Sequence, residues 1–211
     1  MNNETRASTA YYKIKEDILI GKLQPGHKLR LETLKAHYIV GNSPLREALN
    51  RLLSNGMVVR EENKGFRVSE VSIDEFKDII KNRCWFEEIA LRESIKNANN
   101  EYDEEIVLAV HRLSRANKND INAYEKLRRD FHASILSTCN SNLLILHCQQ
   151  LYEQTLRYQN LLPTTDHEIE IENYKSILDS ILSRNEQKAL DTLLSTYKQL
   201  NQKLISEFDL N

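Results

Sequence analysis

The amino-terminal part of the chain alternates apolar and polar positions at the spacing of α-helices. In residues 10–21 one face is apolar, and Gly21 then favours an end to the helix; the apolar positions are Tyr11, Ile14 and Ile18. Pro25 and Gly26 predict a turn, because proline presets one backbone angle and glycine accepts a positive one. The helical pattern returns over residues 31–38 and predicts a second helix.

A third helix is predicted over residues 43–53, and its two faces differ in polarity. Ser43 suits the cap position and Pro44 the first helical position. One face is an apolar stripe that consists of Leu45, Ala48, Leu49, Leu52 and Leu53. The opposite face is polar and carries Ser43, Arg46, Glu47, Asn50 and Arg51. We therefore expect the stripe to be buried and the polar face to point outward.

After Gly56 the apolar period shortens from that of a helix to that of a strand. Residues 57–60 and 65–68 have the pattern of two short strands, and the polar segment 61–64 between them predicts the turn of a β-hairpin. Three helices followed by a hairpin indicate a winged helix-turn-helix, in which the hairpin is the wing.

Beyond residue 71 the pattern is helical throughout. Ser72 and Glu75 have the spacing of a capping box, so the predicted domains are residues 1–71 and 72–211. We expect the fold to be mainly α, with the winged helix-turn-helix followed by an all-α bundle of six to seven helices that can surround a cavity. The predicted helices of the bundle cover residues 73–98, 101–117, 120–139, 141–160, 166–184 and 186–208.

Charge is distributed unevenly along the chain. Residues 1–71 carry 12 Lys and Arg against 8 Asp and Glu, whereas the remainder carries 17 against 23. A modestly basic head on an acidic body is compatible with a local DNA-binding module. No apolar run is long enough to span a bilayer and no signal-peptide core is evident, so we expect a cytoplasmic protein without a membrane partner.

The remaining composition excludes several classes of site. The three cysteines lie in apolar helical patterns without metal-ligand spacing, and we expect buried thiols. Nucleophile elbows, glycine-rich phosphate loops and metalloprotease signatures are all missing from the sequence. The chain is therefore not expected to be an enzyme.

The candidate DNA contacts lie on the third helix and on the hairpin. A major groove admits one helix, and this helix has hydrogen-bond donors on its outer face. The residues expected at the groove are Asn42, Ser43 and Arg46. Those expected to meet backbone phosphate at most are Lys13, Arg30, Lys35 and Arg51. Those expected at the minor groove or phosphates are Lys64, Gly65 and Arg67.

Two points about this surface remain open at the level of sequence. Arg46 could fork onto a guanine edge or bind a phosphate. The polar face could also be the solvated surface of a protein-interaction module. The capped third helix, the short turn before it and the basic wing occur together, which favours DNA binding.

The head resembles the GntR family of regulators, and nearly the whole chain resembles their FadR or FCD branch. The segments that carry the resemblance are Leu23–Arg30, Ser43–Leu49 and Lys64–Val68, followed by Arg83 with Glu87, Phe131-His132 and Asn142–Leu144. The resemblance implies a homodimer that binds a palindromic double-stranded DNA operator, usually as a repressor released by a small organic acid. Dimer symmetry would place two recognition helices about 34 Å apart.

The DNA-binding segment departs from the family pattern at one point. Where the family often has an arginine preceded by a serine, this chain has Asn42 preceded by Gly41. This substitution should weaken a guanine contact and shift the operator sequence, while phosphate anchoring through Arg46 could survive.

The sensing domain departs from its family pattern more strongly. Many FCD proteins hold a divalent metal with one aspartate and several histidines, but this chain keeps only His132. Arg128 stands at the aspartate position, and Tyr174 and Thr196 stand at later histidine positions. Arg128 and His132 share a helix face, so the positive charge of Arg128 opposes a cation bound beside His132. In addition, too few ligands remain to hold a metal ion. We expect no metal and no other cofactor.

The same positions suggest an effector site of another kind. Arg83 and Arg128 would anchor an anionic effector such as a carboxylate, with hydrogen bonds from His132, Tyr174 and Thr196. Arg128 could instead form a structural ion pair with a buried glutamate such as Glu87. The expected function is a DNA-binding regulator, usually a repressor, controlled by a small organic acid. The alternative is a DNA-binding regulator whose helical domain only dimerises.

Overall fold

The computed structural model describes residues 5–62, 64–160 and 167–208. These residues form two compact units, one of residues 5–62, 64–72 and 156–160, the other of residues 73–155 and 167–208. The fold is mainly α, a winged helix-turn-helix followed by a helical domain, as the sequence predicts. The elements of the amino-terminal part are α1 (Arg6–Leu19), β1 (Lys28–Leu29), α2 (Leu31–Tyr38), α3 (Asn42–Ser54), β2 (Val58–Glu61) and β3 (Gly65–Val68).

The first unit has one hydrophobic core shared by its helices and its sheet. The sheet is antiparallel with β3 in the centre, flanked by β1 and β2; Lys28 pairs with Arg67, and Val58 with Val68. Strand β1 was not predicted, because two residues are too few to show an alternating pattern. The buried core includes Ile14, Ile18, Leu34, Leu45, Leu49, Leu52, Val58 and Val68.

Two helix starts differ from the sequence-based expectation. Helix α1 begins at Arg6, four residues earlier than predicted, because the Thr5 hydroxyl accepts a hydrogen bond from the Ser8 amide (3.2 Å) and caps the helix. The prediction that Ser43 caps α3 is wrong. Gly41 has the extended backbone of the cap residue, so Ser43 lies within the first helical turn.

The second unit consists of helices that follow the predicted order with shorter ends. Helix α6 starts after Asp120, whose side chain accepts from the Ala123 amide (3.1 Å), and it stops four residues before the predicted end. Helix α5 packs against α6 and α8, and α9 packs against α4 and α8. The bounds are α4 (Ile73–Lys96), α5 (Asn100–Ser114), α6 (Ile121–Ile135), α7 (Asn142–Gln159), α8 (His167–Leu182) and α9 (Glu186–Phe208).

The last turn of α7 belongs to the first unit. Arg157 donates to the carbonyl oxygens of Ser69 and Glu70. Asn160, just after the helix, donates its side-chain amide to the carbonyl oxygen of Leu19 (3.0 Å). These bonds provide donors from α7 and from the residue after it to carbonyl oxygens at the end of α1 and after the hairpin. No helix in the described part of the chain has the length and hydrophobicity needed to cross a membrane.

The turn that leads into β1 depends on Gly26. Its φ is +73°, and its amide donates to the Val68 carbonyl oxygen (3.0 Å), which ties the turn to the end of β3. A Cβ atom at this position would lie 2.6 Å from Oε1 of Glu70. Side chains other than glycine are disfavoured in this conformation by about 1–2 kcal/mol.

We expect Gly26→Ala to lower the free energy of unfolding by about 1–2 kcal/mol for the backbone conformation, and by a further amount for displacement of the Glu70 carboxylate, measured by urea denaturation. Gly56→Ala is the matched control, because Gly56 also has a positive φ (+70°) but a Cβ there meets nothing within 4 Å. The control should show the backbone cost alone. A Gly26→Ala variant as stable as the wild type would contradict the role of this turn.

Candidate functional site

Helix α3 presents one polar side to solvent because its other side is completely buried. Leu45, Ala48, Leu49 and Leu52 each have 0% exposure. These four residues lock the rotation of the helix about its axis. The residues left exposed at its surface are Asn42, Ser43, Arg46, Glu47, Asn50 and Ser54.

Arg46 is the most available cation on this helix. Its side chain is exposed, and within the described part of the chain it has no hydrogen bond or ion pair. The five donors of its guanidinium are therefore open to an acceptor such as a base edge or a phosphate. Arg30, at the cap position of α2, and Lys64 and Gly65, at the tip of the hairpin, are also exposed.

Two other arginines expected at DNA are engaged within the protein. The Arg51 guanidinium lies 4.1 Å from the ring centroid of Tyr11 and donates to the Ser8 hydroxyl (3.2 Å), which ties α3 to α1. Arg67 forms an ion pair with Glu61 within the hairpin (2.8 Å). A phosphate contact by either residue would require it to give up part of these interactions.

One exposed cation of the hairpin was not predicted as a DNA contact from the sequence. Arg60 lies on β2 opposite Phe66, with its side chain exposed. Alternation places residue 60 on the same face as the buried Val58, so the strand pattern alone gives no reason to expect Arg60 at the surface. Arg60 and Lys64 together offset the neighbouring acids Glu61 and Glu62.

The second unit contains a buried polar cluster built around two arginines. The first arginine, Arg83 on α4, donates from Nε to Glu87 Oε1 (2.6 Å) and from Nη2 to the hydroxyl oxygen of Tyr197 on α9 (2.9 Å). The Tyr197 hydroxyl in turn donates to the other oxygen of Glu87. His132 Nε2 lies 2.9 Å from Glu87 Oε1, so the imidazole also contacts this carboxylate.

The second arginine, Arg128 on α6, is paired with two carboxylates. Its Nη1 donates to Glu125 Oε1 (2.7 Å), and its Nη2 lies 2.6 Å from Glu170 Oε1 on α8. The Tyr174 hydroxyl donates to Glu170 (2.6 Å), and the Tyr124 hydroxyl donates to the other Glu170 oxygen (3.2 Å). Each guanidinium of the cluster is thus neutralised by carboxylates of the chain itself.

Tyr152, on α7, connects the two halves of the cluster. Its ring lies 4.4 Å from the ring of His132 and 4.8 Å from the guanidinium of Arg83, centre to centre. Burial raises the pKa of Tyr152, and the charges of Arg128 and Glu125 also act on it. Its hydroxyl makes no hydrogen bond within the described structure, and the same is true of Glu125 Oε2. These two buried atoms lack a partner and are candidates for contact with a bound molecule.

The two acids beside the arginines are shifted in opposite directions. Burial alone would raise the pKa of Glu87, but Arg83, His132 and Tyr197 outweigh it and bring the value to about 2. For Glu125, burial outweighs the attraction of Arg128, and its pKa is raised. Glu87 is therefore a permanent carboxylate near neutral pH, whereas Glu125 takes up a proton more readily than an ordinary glutamate.

Four of the five predicted effector residues lie in this cluster: Arg83, Arg128, His132 and Tyr174. Thr196 does not, because its hydroxyl donates to the Thr192 carbonyl oxygen of its own helix (2.9 Å), and the next residue, Tyr197, faces the cluster instead. The suggested ion pair between Arg128 and Glu87 is not formed. Glu87 pairs with Arg83, and Arg128 pairs with Glu125 and Glu170. The members that sequence reasoning missed are Glu125, Tyr152, Glu170 and Tyr197.

The residues of the cluster do not fit the divalent metal that many FCD domains hold. The described residues contain no group of three or more His, Cys, Asp or Glu side chains arranged to hold a metal ion. At the position expected for a carboxylate ligand, Arg128 supplies a positive charge instead, and it already neutralises Glu125 and Glu170. A cation here would meet like charge and compete with existing ion pairs.

Comparison with known proteins identifies two family domains in the chain. Residues 6–68 match the sequence profile described as bacterial regulatory proteins of the gntR family, and residues 78–198 match that of the FCD domain. The helix-turn-helix regulator BphR of Paraburkholderia xenovorans, described as uncharacterized, is 30% identical over 203 residues, which are 91% of this chain and 82% of BphR. The transcriptional repressor GlaR of Escherichia coli is 30% identical over 154 residues, 71% of this chain and 70% of GlaR.

Solved structures share the fold over almost the full chain. E. coli McbR/YncC superposes with a TM-score of 0.84 at 22% identity and covers 97% of this chain and 99% of its own. A GntR regulator from Rhodococcus gives a TM-score of 0.77 at 18% identity, with 95% and 98% covered. At these identities the likeness concerns the fold.

We expect Glu87→Gln to lower the free energy of unfolding by about 3–5 kcal/mol, because it leaves the buried Arg83 charge without its carboxylate. The pH dependence follows from the lowered pKa. The stabilisation by Glu87 is present above the unfolded-state pKa of 4.5 and is lost as the pH falls towards 2. Denaturation at a series of pH values should therefore show that the free energy of unfolding falls less steeply with acid in the variant than in the wild type.

Glu88→Gln is the matched control on the same helix. Glu88 pairs with Arg92 at the surface (3.0 Å), where solvent screens the interaction. Its loss should leave the melting temperature within error. Equal destabilisation by the two substitutions would mean that the buried cluster does not stabilise the unit as described.

Proposed function

The chain is a helix-turn-helix transcriptional regulator of the GntR family with an FCD domain, and from this premise we propose that it represses transcription as a homodimer on a palindromic operator and responds to a small effector. The observation that carries the DNA-binding part is the exposed side of α3 with the unpaired Arg46. The name of the relative GlaR, a transcriptional repressor, supports the direction of control.

DNA recognition is assigned to the exposed polar and basic residues of α3 and of the hairpin. Asn42, Ser43 and Arg46 lie at the amino-terminal end of α3, which is the part of a recognition helix that meets base edges. Lys64 and Gly65 are exposed at the hairpin and can meet phosphate or the minor groove. Arg51 and Arg67 contribute mainly by holding α3 and the hairpin in shape.

Dimerisation is assigned to an apolar surface on α4 and α7. Trp85 and Ile89 are 53% and 54% exposed one turn apart on α4, and Leu143 and Leu146 are exposed on α7. The rings of Phe86 and His147 lie 6.0 Å apart and join the two helices. Exposed apolar surface of this kind marks a protein interface, and a second copy of the chain would present the same surface about a two-fold axis.

Effector binding is assigned to the buried cluster. The resemblance implies an organic acid, but both guanidiniums already pair with carboxylates, so an acid must bind by exchange. Glu125 is the carboxylate most readily displaced from Arg128, because one of its oxygens is unpartnered and its pKa is raised by burial. Once protonated, Glu125 can donate a hydrogen bond to the incoming carboxylate.

The same ion pairs favour a second candidate function. With each guanidinium satisfied inside the protein, the helical domain could serve only to dimerise the regulator, and the network would stabilise it without an effector. Thermal stabilisation by a ligand separates the two possibilities.

We expect Arg46→Ala to weaken binding to an operator selected from random duplexes by at least tenfold, measured by fluorescence anisotropy. If Arg46 meets a phosphate, the slope of affinity against salt should also fall by about one. Arg115→Ala, an exposed arginine of the second unit, is the control and should bind as the wild type does. Undiminished affinity of Arg46→Ala would remove α3 from the reading role.

We expect Trp85→Asp to convert the dimer into a monomer in sedimentation velocity, because a buried charge would face its own copy across the two-fold axis. Operator affinity should fall with it. Leu108→Asp on α5 is the control, since Leu108 is also an exposed apolar residue (45%) outside the assigned surface. A Trp85→Asp protein that remains dimeric would place the interface elsewhere.

We expect a panel of small mono- and dicarboxylates to include an acid that raises the melting temperature and releases the operator, with a larger shift at about pH 5.5 than at about pH 8. The shift is larger at the lower pH because Glu125 takes up a proton when the acid displaces it from Arg128. In Glu125→Gln, which keeps the shape but does not titrate, the shift should no longer depend on pH. Absence of any shift and of any operator release would favour the regulator that only dimerises.

A further inference from the structure

Ile39 has a backbone conformation that its side chain disfavours. It ends α2 with φ 53° and ψ 55°, in the left-handed region, and its amide donates to the Lys35 carbonyl oxygen. Glycine is the usual residue at such a helix end, because it has no Cβ. For a β-branched residue this conformation is an outlier, and strain of this kind is concentrated at functional positions.

The side chain of Ile39 gains nothing from burial in return. It is 91% exposed, whereas its neighbours Tyr38 and Val40 pack against the core of the unit. Between Leu31 and Ser54 it is the only large apolar side chain that is exposed. Both observations count against stability, so neither local backbone preference nor packing explains an isoleucine here.

The position of Ile39 suggests what it contacts. It lies in the turn between α2 and α3, three residues before Asn42, which starts the recognition helix. The exposed side chains at that end of α3 are polar and can read hydrogen-bonding groups; they are Asn42, Ser43 and Arg46. The thymine C5-methyl is the apolar group that base edges present in the major groove.

We propose that Ile39 is a specificity-determining residue that contacts a thymine methyl group in each operator half-site. The inference rests on the proposed function, since it requires α3 to enter the major groove. In this arrangement the protein accepts backbone strain in the turn and gains an apolar contact that forms only on DNA. Asn42 and Ser43 then read the neighbouring base edges by hydrogen bonds.

The test uses the full-length protein and an operator that the wild type selects from random duplexes. Each thymine of the half-site is replaced in turn by deoxyuridine, which removes only the methyl group. We expect one position at which the wild type loses about fourfold in affinity. Ile39→Gly should bind the unmodified operator about fourfold more weakly and should show no further loss at that position.

Ile39→Gly should also melt at a higher temperature than the wild type, because glycine accepts the left-handed conformation. Weaker DNA binding then cannot result from poorer folding. Ile39→Ala keeps the backbone cost and should lose the same DNA contact. Val59→Ala, at another exposed β-branched residue of the unit (41%), is the control and should respond to deoxyuridine as the wild type does.

The possible results separate the two claims. If an operator is selected but Ile39→Gly binds it as tightly as the wild type, or still responds to deoxyuridine at the same position, the role of Ile39 is refuted and the regulator function stands. A wild-type operator without any methyl-sensitive thymine also refutes it. If the wild type selects no sequence at all, the proposed function fails, and this inference fails with it.

Discussion

Leu45, Ala48, Leu49 and Leu52 are wholly buried, and their packing determines which side of α3 is available to a partner. A helix with one buried stripe has no freedom to rotate about its axis, so Asn42, Ser43 and Arg46 must point outward together. Arg51 lies at the edge of the stripe and ties α3 to the ring of Tyr11 on α1. The surface proposed to bind DNA is thus a consequence of core packing in the first unit.

In the second unit, the corresponding constraint is charge balance. Two buried guanidiniums, Arg83 and Arg128, are stable only because carboxylates lie within hydrogen-bonding distance. The arrangement explains why the cluster is rich in tyrosine, since hydroxyl groups fill the remaining donor and acceptor positions. Any ligand that enters must keep the charge balance, so it either replaces a carboxylate or binds as a neutral molecule to the unpartnered Tyr152 hydroxyl and Glu125 Oε2.

Periodicity alone was enough to place the helices, the hairpin and the buried stripe of α3, because these depend on local spacing; within the stripe, Leu53 is only half-buried, contrary to expectation. It was less informative about ends: Ser43 suits a cap by type, but the extended backbone at Gly41 made that residue the cap. A helix turns about 100° per residue, so an error of one position exchanged Thr196 for Tyr197. A resemblance to a family supplies positions and does not supply this rotation.

Long-range partners were beyond what the sequence could show. Glu170 lies 42 residues from Arg128, and nothing in local pattern joins them. The assignment of the last turn of α7 to the first unit depends on hydrogen bonds from Arg157 to carbonyl oxygens 87 and 88 residues away. Arg51 and Arg67 were expected at DNA because exposed and internally paired arginines look alike in a sequence. Only their surroundings distinguish them.

The exposed side of α3 is proposed to read a specific duplex. The most direct test of this proposal is the ratio of affinities for the duplex that the protein selects and for a scrambled duplex of equal composition, measured at one salt concentration near physiological. We expect a ratio of at least about a thousand, as for other specific DNA-binding proteins. Equal affinity for the two duplexes would contradict the account.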